Sequence, residues 1–279
     1  MSSGLDLTAA AQDLCQKHGF EYHGPLGKGA FKSAYLAKAQ TVFFALKIAV
    51  AAGGAERLAR ETKALQGCAH PAIAQSFGAA PFEYGGTQLW VVYEEFLAGG
   101  TLEAALKNGP LRPEKTKTIA LTLAGALEHL HERKLVHRDI KPANIMFRGD
   151  APVLTDFGIV RMLDQPTLTH AFMQMGPGTP AYAAPEQLNN AKELIDWRTD
   201  QFGLGIVVAE CMLGHHPFLI QGKTVHEAIL NVASWQDVPE VNAQRLRQLG
   251  FSCLLPALKP WPVDRYRKPA AFIASLNTI

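Results

Sequence analysis

Two short strings near the middle of the chain hold side chains that could do chemistry together. His137-Arg138-Asp139-Ile140-Lys141-Pro142-Ala143-Asn144 is followed shortly by Asp156-Phe157-Gly158. Asp139 is a carboxylate able to accept a proton. Asp156 and Asn144 are a carboxylate and an amide, oxygen donors that suit a hard divalent cation. Lys141 can neutralise an anionic oxygen. A proton acceptor, a metal pair and a cation are what phosphoryl transfer to a hydroxyl requires. Any one of these residues alone is most often a surface charge, but their joint spacing argues against chance.

Composition limits the surroundings of such a site. The 279 residues can bury a large core, enough for one two-lobed domain or two modest ones. A hydrophobic share of 48% and a charged share of 19% are ordinary for a globular protein. The net charge of +2 argues against a dedicated nucleic-acid binder. Cys15, Cys68, Cys211 and Cys253 lie far apart with no Cys-x-x-Cys pair, so neither a zinc site nor a disulfide framework is expected. Reduced thiols in a cytoplasmic protein are the reading. The first twenty residues lack a basic start followed by a long apolar run, so no secretory signal is expected. The most apolar window, Phe202 to Leu213, is too short to span a membrane and contains Glu210, and it reads as a buried helix.

Elements must then carry these groups. Residues 20–50 read as strands, with Gly27-x-Gly29 as a turn whose backbone N–H groups could lie over phosphates. Val42 to Ile48 is apolar and β-prone and contains Ala45-Leu46-Lys47. From Gly54 to Gln66, Leu58, Glu61 and Leu65 fall on one helical face. A glutamate in that stripe wants a cation partner, with Glu56 as the alternative. Leu89 to Tyr93 reads as a central strand. Pro113 opens a helix in which Ile119, Leu123, Leu127 and Leu130 repeat at helical spacing to about residue 132. Residues 1–19 read as a short amphipathic lead-in of unknown use.

Over about residues 20–276 the chain resembles the protein kinase family, through the two strings above and the later Ala184-Pro185-Glu186. The resemblance implies an α+β, two-lobed fold. Residues 1–97 would form a small β-rich lobe with one helix, residues 98–279 a larger, mainly helical lobe, and the two together one kinase domain. Gly27, Gly29 and Ala34 would form the loop over ATP, with Ala34 at the usual valine. Lys32 stands where the family has a third glycine, and there it either faces solvent or reaches a phosphate. Lys47 would hold the α- and β-phosphates and pair with Glu61. Ala45 and Met146 would sandwich adenine, and the backbone at Glu95 and Leu97 would meet its edge. The same alignment puts Glu94 at a position that normally faces an apolar back pocket. A glutamate there needs a buried cation, unless the register is one residue off.

The resemblance implies further that Asp139 would accept the hydroxyl proton and Lys141 would sit by the transferring phosphate. Asn144 and Asp156 would ligate magnesium, with manganese as the alternative. Arg138 suggests a site for an activation-loop phosphate. Thr179 would contact the catalytic aspartate and lysine, while Thr167 and Thr169 are the autophosphorylation candidates. Glu186 would pair with Arg265, and Asp200 would cap its helix or brace the catalytic loop. Lys141-Pro142 resembles serine/threonine kinases, and the wording of the strings looks bacterial. The expected activity is transfer of the γ-phosphoryl group of ATP to Ser or Thr of a protein, the chain itself included. Many such kinases are anchored by a membrane helix. None is visible here, which leaves a soluble kinase or a kinase domain cut from a longer chain. A pseudokinase scaffold is the rival reading, kept by Lys32 and Glu94. A small-molecule phosphotransferase fits less well, because the segment from Gly178 to Glu186 resembles one that docks a peptide. Neither a nucleic acid nor a membrane is expected as partner.

Overall fold

The computed structural model describes residues 6–28, 32–50, 68–157 and 180–279. They divide into two compact units. The first holds residues 6–28, 32–50, 68–69, 74–97 and 157; the second holds 70–73, 98–156 and 180–279.

The first unit begins with helix α1, Leu7–His18. Asp6 caps it by accepting from the N–H groups of Thr8 and Ala9, and Gly19 ends it at φ +68°, where a side chain would be strained. Five strands follow: β1 (Glu21–Lys28), β2 (Lys32–Ala39), β3 (Val42–Val50), β4 (Ser76–Tyr84) and β5 (Thr87–Glu95). They form an antiparallel sheet in the order β1-β2-β3-β5-β4. β4, which the sequence reading did not mark, lies at the edge of the sheet, where a proline such as Pro81 is tolerated.

Strand alternation gives the sheet two different faces. On one, Phe44, Leu46 and Ile48 of β3 pack with Tyr35 and Ala37 of β2, and with Leu89 and Val91 of β5. Ala10, Ala11, Leu14 and Cys15 of α1 close over this cluster. Residues 7–18, expected to be a lead-in, are thus the helix that covers one sheet face. Burying Leu14 alone contributes about 1.5–3 kcal/mol. The other face carries Ala45, Lys47 and Ala49 of β3, with Ala49 packed on Trp90, Ala79 and Val92.

The second unit is mainly helical. It contains α2 (Leu102–Leu106), α3 (Pro113–Glu132), the hairpin strands β6 (Ile145–Arg148) and β7 (Ala151–Leu154), α4 (Pro185–Leu188) and α5 (Trp197–Leu213). Then come α6 (Val225–Ala233), α7 (Glu240–Gln248), α8 (Leu254–Ala257) and α9 (Pro269–Leu276). Proline begins α3 as expected, and its buried stripe of Ile119, Leu123, Leu127 and Leu130 packs on α5 and α9. The apolar window from Phe202 to Leu213 lies in α5, which is buried almost all round. Its Gly203 lets the segment around Ile140 approach: a Cβ there would stand 3.1 Å from Ile140 Cβ. All four cysteines are free and buried, in keeping with the absence of a disulfide framework. Among the described residues no helix is long and apolar enough to cross a membrane.

Candidate active site

The second unit gathers the central string around one carboxylate. After α3 the chain turns through Lys134 at φ +57° and continues without helix or strand to a single tight turn at Pro142–Asn144. This turn brings Asn144 back beside Asp139. Asp139 Oδ2 accepts from Lys141 Nζ at 2.9 Å and from Asn144 Nδ2 at 2.9 Å. Asn144 Nδ2 also donates to the Asp139 carbonyl at 2.9 Å. With its Nδ2 turned to Asp139, the amide of Asn144 has its Oδ1 as the remaining acceptor, an oxygen that suits a hard cation. The Asp139 side chain is 23% exposed, so a substrate hydroxyl can still reach it.

Distant residues hold this string in place. Asp200 in the first turn of α5 is 2% exposed and accepts from the backbone N–H of His137 at 2.6 Å and of Arg138 at 2.7 Å. Arg138 sits at φ +67°, a conformation that costs a non-glycine residue energy and that these bonds maintain. The helix itself is capped by Asp196, which accepts from Arg198 N at 2.7 Å. Of the two roles expected for Asp200, capping and bracing, the structure selects bracing. Gln187 Nε2 adds a bond to the Arg138 carbonyl at 2.9 Å.

His137 connects the two strings. Its Nδ1 accepts from Asp139 N at 3.2 Å, so its Nε2 carries the proton given to the Thr155 carbonyl at 3.0 Å. Thr155 N donates in turn to the Asn144 carbonyl at 2.9 Å. Asp156 is therefore attached, through its neighbour's backbone, to the same loop as Asn144. It lies at φ +65°, a second left-handed non-glycine residue at the site. Among the described residues no three His, Cys, Asp or Glu side chains form a metal cage. One carboxylate with one amide fits magnesium, which is usually held by one or two protein ligands together with substrate phosphates and water.

The segment that begins at Pro180 is fastened to α5. Arg265 meets Glu186 through two bonds, at 2.8 and 2.9 Å, with both side chains fully buried. Thr199 Oγ1 donates to the same carboxylate at 2.8 Å. The guanidinium also donates to the carbonyls of Lys259, Pro260 and Arg198 and lies 4.6 Å above the Phe202 ring. Its hydrogen-bonding capacity is thereby well used, which such burial requires. Tyr182 OH donates to Glu210 Oε2 at 2.7 Å. Burial pushes the Glu210 carboxyl and the Tyr182 phenol above their ordinary values. His216 Nε2 donates to the Ala181 carbonyl at 2.7 Å, and burial holds this imidazole down to about 4.

The first unit presents the expected nucleotide residues on the sheet face that α1 does not cover. Lys47 pairs in register with Val92, and Ala45 with Glu94, so Lys47 and Glu94 are diagonal neighbours on one face. The Lys47 ammonium contacts the Glu94 carboxylate directly. At 9% and 5% exposure the two form a buried ion pair. Glu94 thus has a buried cation beside it. Sequence reasoning paired Lys47 with Glu61, which lies outside the described residues, and raised a cation for Glu94 without naming Lys47. The signal that could have joined them was the two-residue offset across adjacent strands. Ala34 pairs with Lys47 on the same face, and Gly27 lies near the end of β1. Glu95 N donates to the Gln75 carbonyl at 2.9 Å, and Leu97 is buried. Met146 lies in β6 of the second unit, bridged to Thr101. Gly29, Glu56, Glu61, Gly158, Thr167, Thr169 and Thr179 lie outside the described residues.

Comparison with known proteins converges on one family. The model of the protein kinase domain matches residues 20–255. Serine/threonine-protein kinase PknF of Mycobacterium tuberculosis is 32% identical over 277 residues, covering 93% of this chain and 56% of PknF. Serine/threonine-protein kinase PknL of the same species is 37% identical over 196 residues, 66% of this chain and 46% of PknL. Serine/threonine-protein kinase pkn2 of Myxococcus xanthus is 32% identical over 209 residues, 70% of this chain and 24% of pkn2. The chain thus spans between about a quarter and just over half of the length of these relatives.

Proposed function

The chain belongs to the protein kinase domain family, and from that premise we propose that it transfers the γ-phosphoryl group of ATP to Ser or Thr hydroxyls of a protein. The observation that carries this reading is the Asp139–Lys141–Asn144 cluster, braced by Asp200. Asp139 orients the substrate hydroxyl and takes its proton. Lys141 lies within one hydrogen bond of that carboxylate and offsets negative charge growing on the transferring group. Asp156 and Asn144 hold magnesium, which when bound offsets charge on the phosphate oxygens. In the first unit, Lys47 attracts the phosphates, Ala34 and Ala45 leave room for a flat base, and the backbone at Glu95 and Leu97 meets its edge. Thr179 serves the same aspartate and lysine, and Thr167 and Thr169 are self-phosphorylation sites. The two units are read as the two lobes of one kinase domain, and its partners are Ser/Thr-bearing proteins. The names of the relatives support serine and threonine as acceptors.

The test is incubation with labelled ATP, magnesium and generic protein substrates, with mass mapping of the label. Asp139→Asn should lower transfer by about 10²–10⁴-fold with an unchanged melting temperature. Near-normal transfer in that variant would remove Asp139 from the role assigned here. One observation favours a second reading, a nucleotide-binding scaffold without turnover: Lys47 is bound to Glu94. ATP binding with no transfer to any substrate would select it.

A further inference from the structure

Lys32 opens β2 at the position where the resemblance calls for glycine. It is not among the left-handed residues, so the strand accommodates its side chain without strain. The register pairs Lys32 with Ala49 and Ala34 with Lys47. Lys32 therefore projects to the same face as Lys47 and is its diagonal neighbour across β2 and β3. Diagonal neighbours on adjacent strands stand roughly 7–8 Å apart, within reach of two long side chains converging on one anion. α1 packs on the opposite face, so both lysines lie on the face that α1 does not cover. Glu94 sits on the β5 flank of Lys47 and Lys32 on its β2 flank, next to the strand that ends in Gly27-Lys28. An ammonium already in contact with a buried carboxylate presents less net charge to a phosphate.

We infer that Lys32 is a phosphate-contacting residue, forming with Lys47 a two-lysine site for the polyphosphate of the nucleotide. Lys47, tethered by Glu94, is the fixed member of the pair. Lys32, half-buried at the start of its strand, adds a second cation beside it. The inference rests on the ATP reading above.

Its test compares ligands with and without phosphates. The full chain is titrated calorimetrically with ATP and with adenosine in the presence of magnesium, as wild type, Lys32→Ala, Lys32→Gln and Lys32→Arg. Losing one charge-assisted contact should weaken ATP binding about tenfold or more and leave adenosine binding within about twofold. Lys32→Arg should restore most of the ATP affinity, and KM for ATP should rise more than kcat falls. A melting temperature near that of the wild type certifies the fold of each variant, and Lys32→Gln answers if Lys32→Ala does not fold. If wild type binds and uses ATP but the neutral variants keep its ATP-to-adenosine ratio, the inference fails and the kinase reading stands. If wild type binds no ATP, both fall together.

Discussion

Asp200→Asn asks how much of the catalytic arrangement depends on one buried carboxylate. Both of its oxygens accept backbone N–H groups, from His137 at 2.6 Å and Arg138 at 2.7 Å. Asparagine keeps one acceptor and turns an NH2 toward the other N–H. One bond to a charged group is lost, at about 1.5–3 kcal/mol, and a buried donor is stranded, at about 1–3 kcal/mol. The left-handed conformation of Arg138 costs about 1–2 kcal/mol, and the loop relieves it once the brace weakens. A local penalty of about 3 kcal/mol is therefore enough to let Arg138 relax and carry Asp139 with it. A displacement of about an ångström at a reacting group costs on the order of 10²-fold in rate. Steady-state kinetics with varied ATP and protein substrate should show kcat down about 100-fold and KM for ATP within about threefold, because the first unit is untouched. The melting temperature should fall by roughly 5–10 °C. A folded variant whose kcat stays within about threefold of wild type would refute the bracing argument.

Two further outcomes follow from buried charge. Arg265→Met leaves the fully buried Glu186 carboxylate without its bidentate partner, and a urea melt should show a loss of about 3–5 kcal/mol. Adding Glu186→Gln should recover part of it, and a single variant as stable as wild type would show that this pair does not hold α4 to α5. His216 is neutral in the fold because burial holds it at about 4, whereas the unfolded chain takes up that proton below about 6.5. Its contribution is therefore complete above about pH 6.5 and is lost as pH falls toward about 4, with a slope of up to roughly 1.4 kcal/mol per pH unit. His70 and His129, also lowered by burial, act in the same direction. Urea midpoints should fall from about pH 7 to about pH 5 in wild type and fall less in His216→Gln; equal slopes would assign the effect to other groups.

Local spacing made the proposed catalytic string legible. Asp139, Lys141 and Asn144 lie within six residues, and one tight turn suffices to bring them together. The α3 stripe was legible for the same reason, since helical burial repeats along the chain. The pair of Glu186 with Arg265, 79 positions apart, was reached by resemblance, because no local pattern points from one to the other.

The sequence by itself thus determined the chemical groups, their order, and the helices and strands whose periodicity is written in neighbouring residues. Tertiary structure alone decided which distant groups meet. The β3–β5 register placed Glu94 against Lys47, 47 positions away, and a one-residue slip would have turned it to the face covered by α1. Docking of α1 on that face made residues 7–18 part of the core. Packing of α5 under the catalytic loop chose bracing for Asp200 although its place in a first turn suited capping equally well. Periodicity is a property of adjacent residues, whereas register and docking come from the free energy of burying whole faces against each other, which no single stretch of sequence contains.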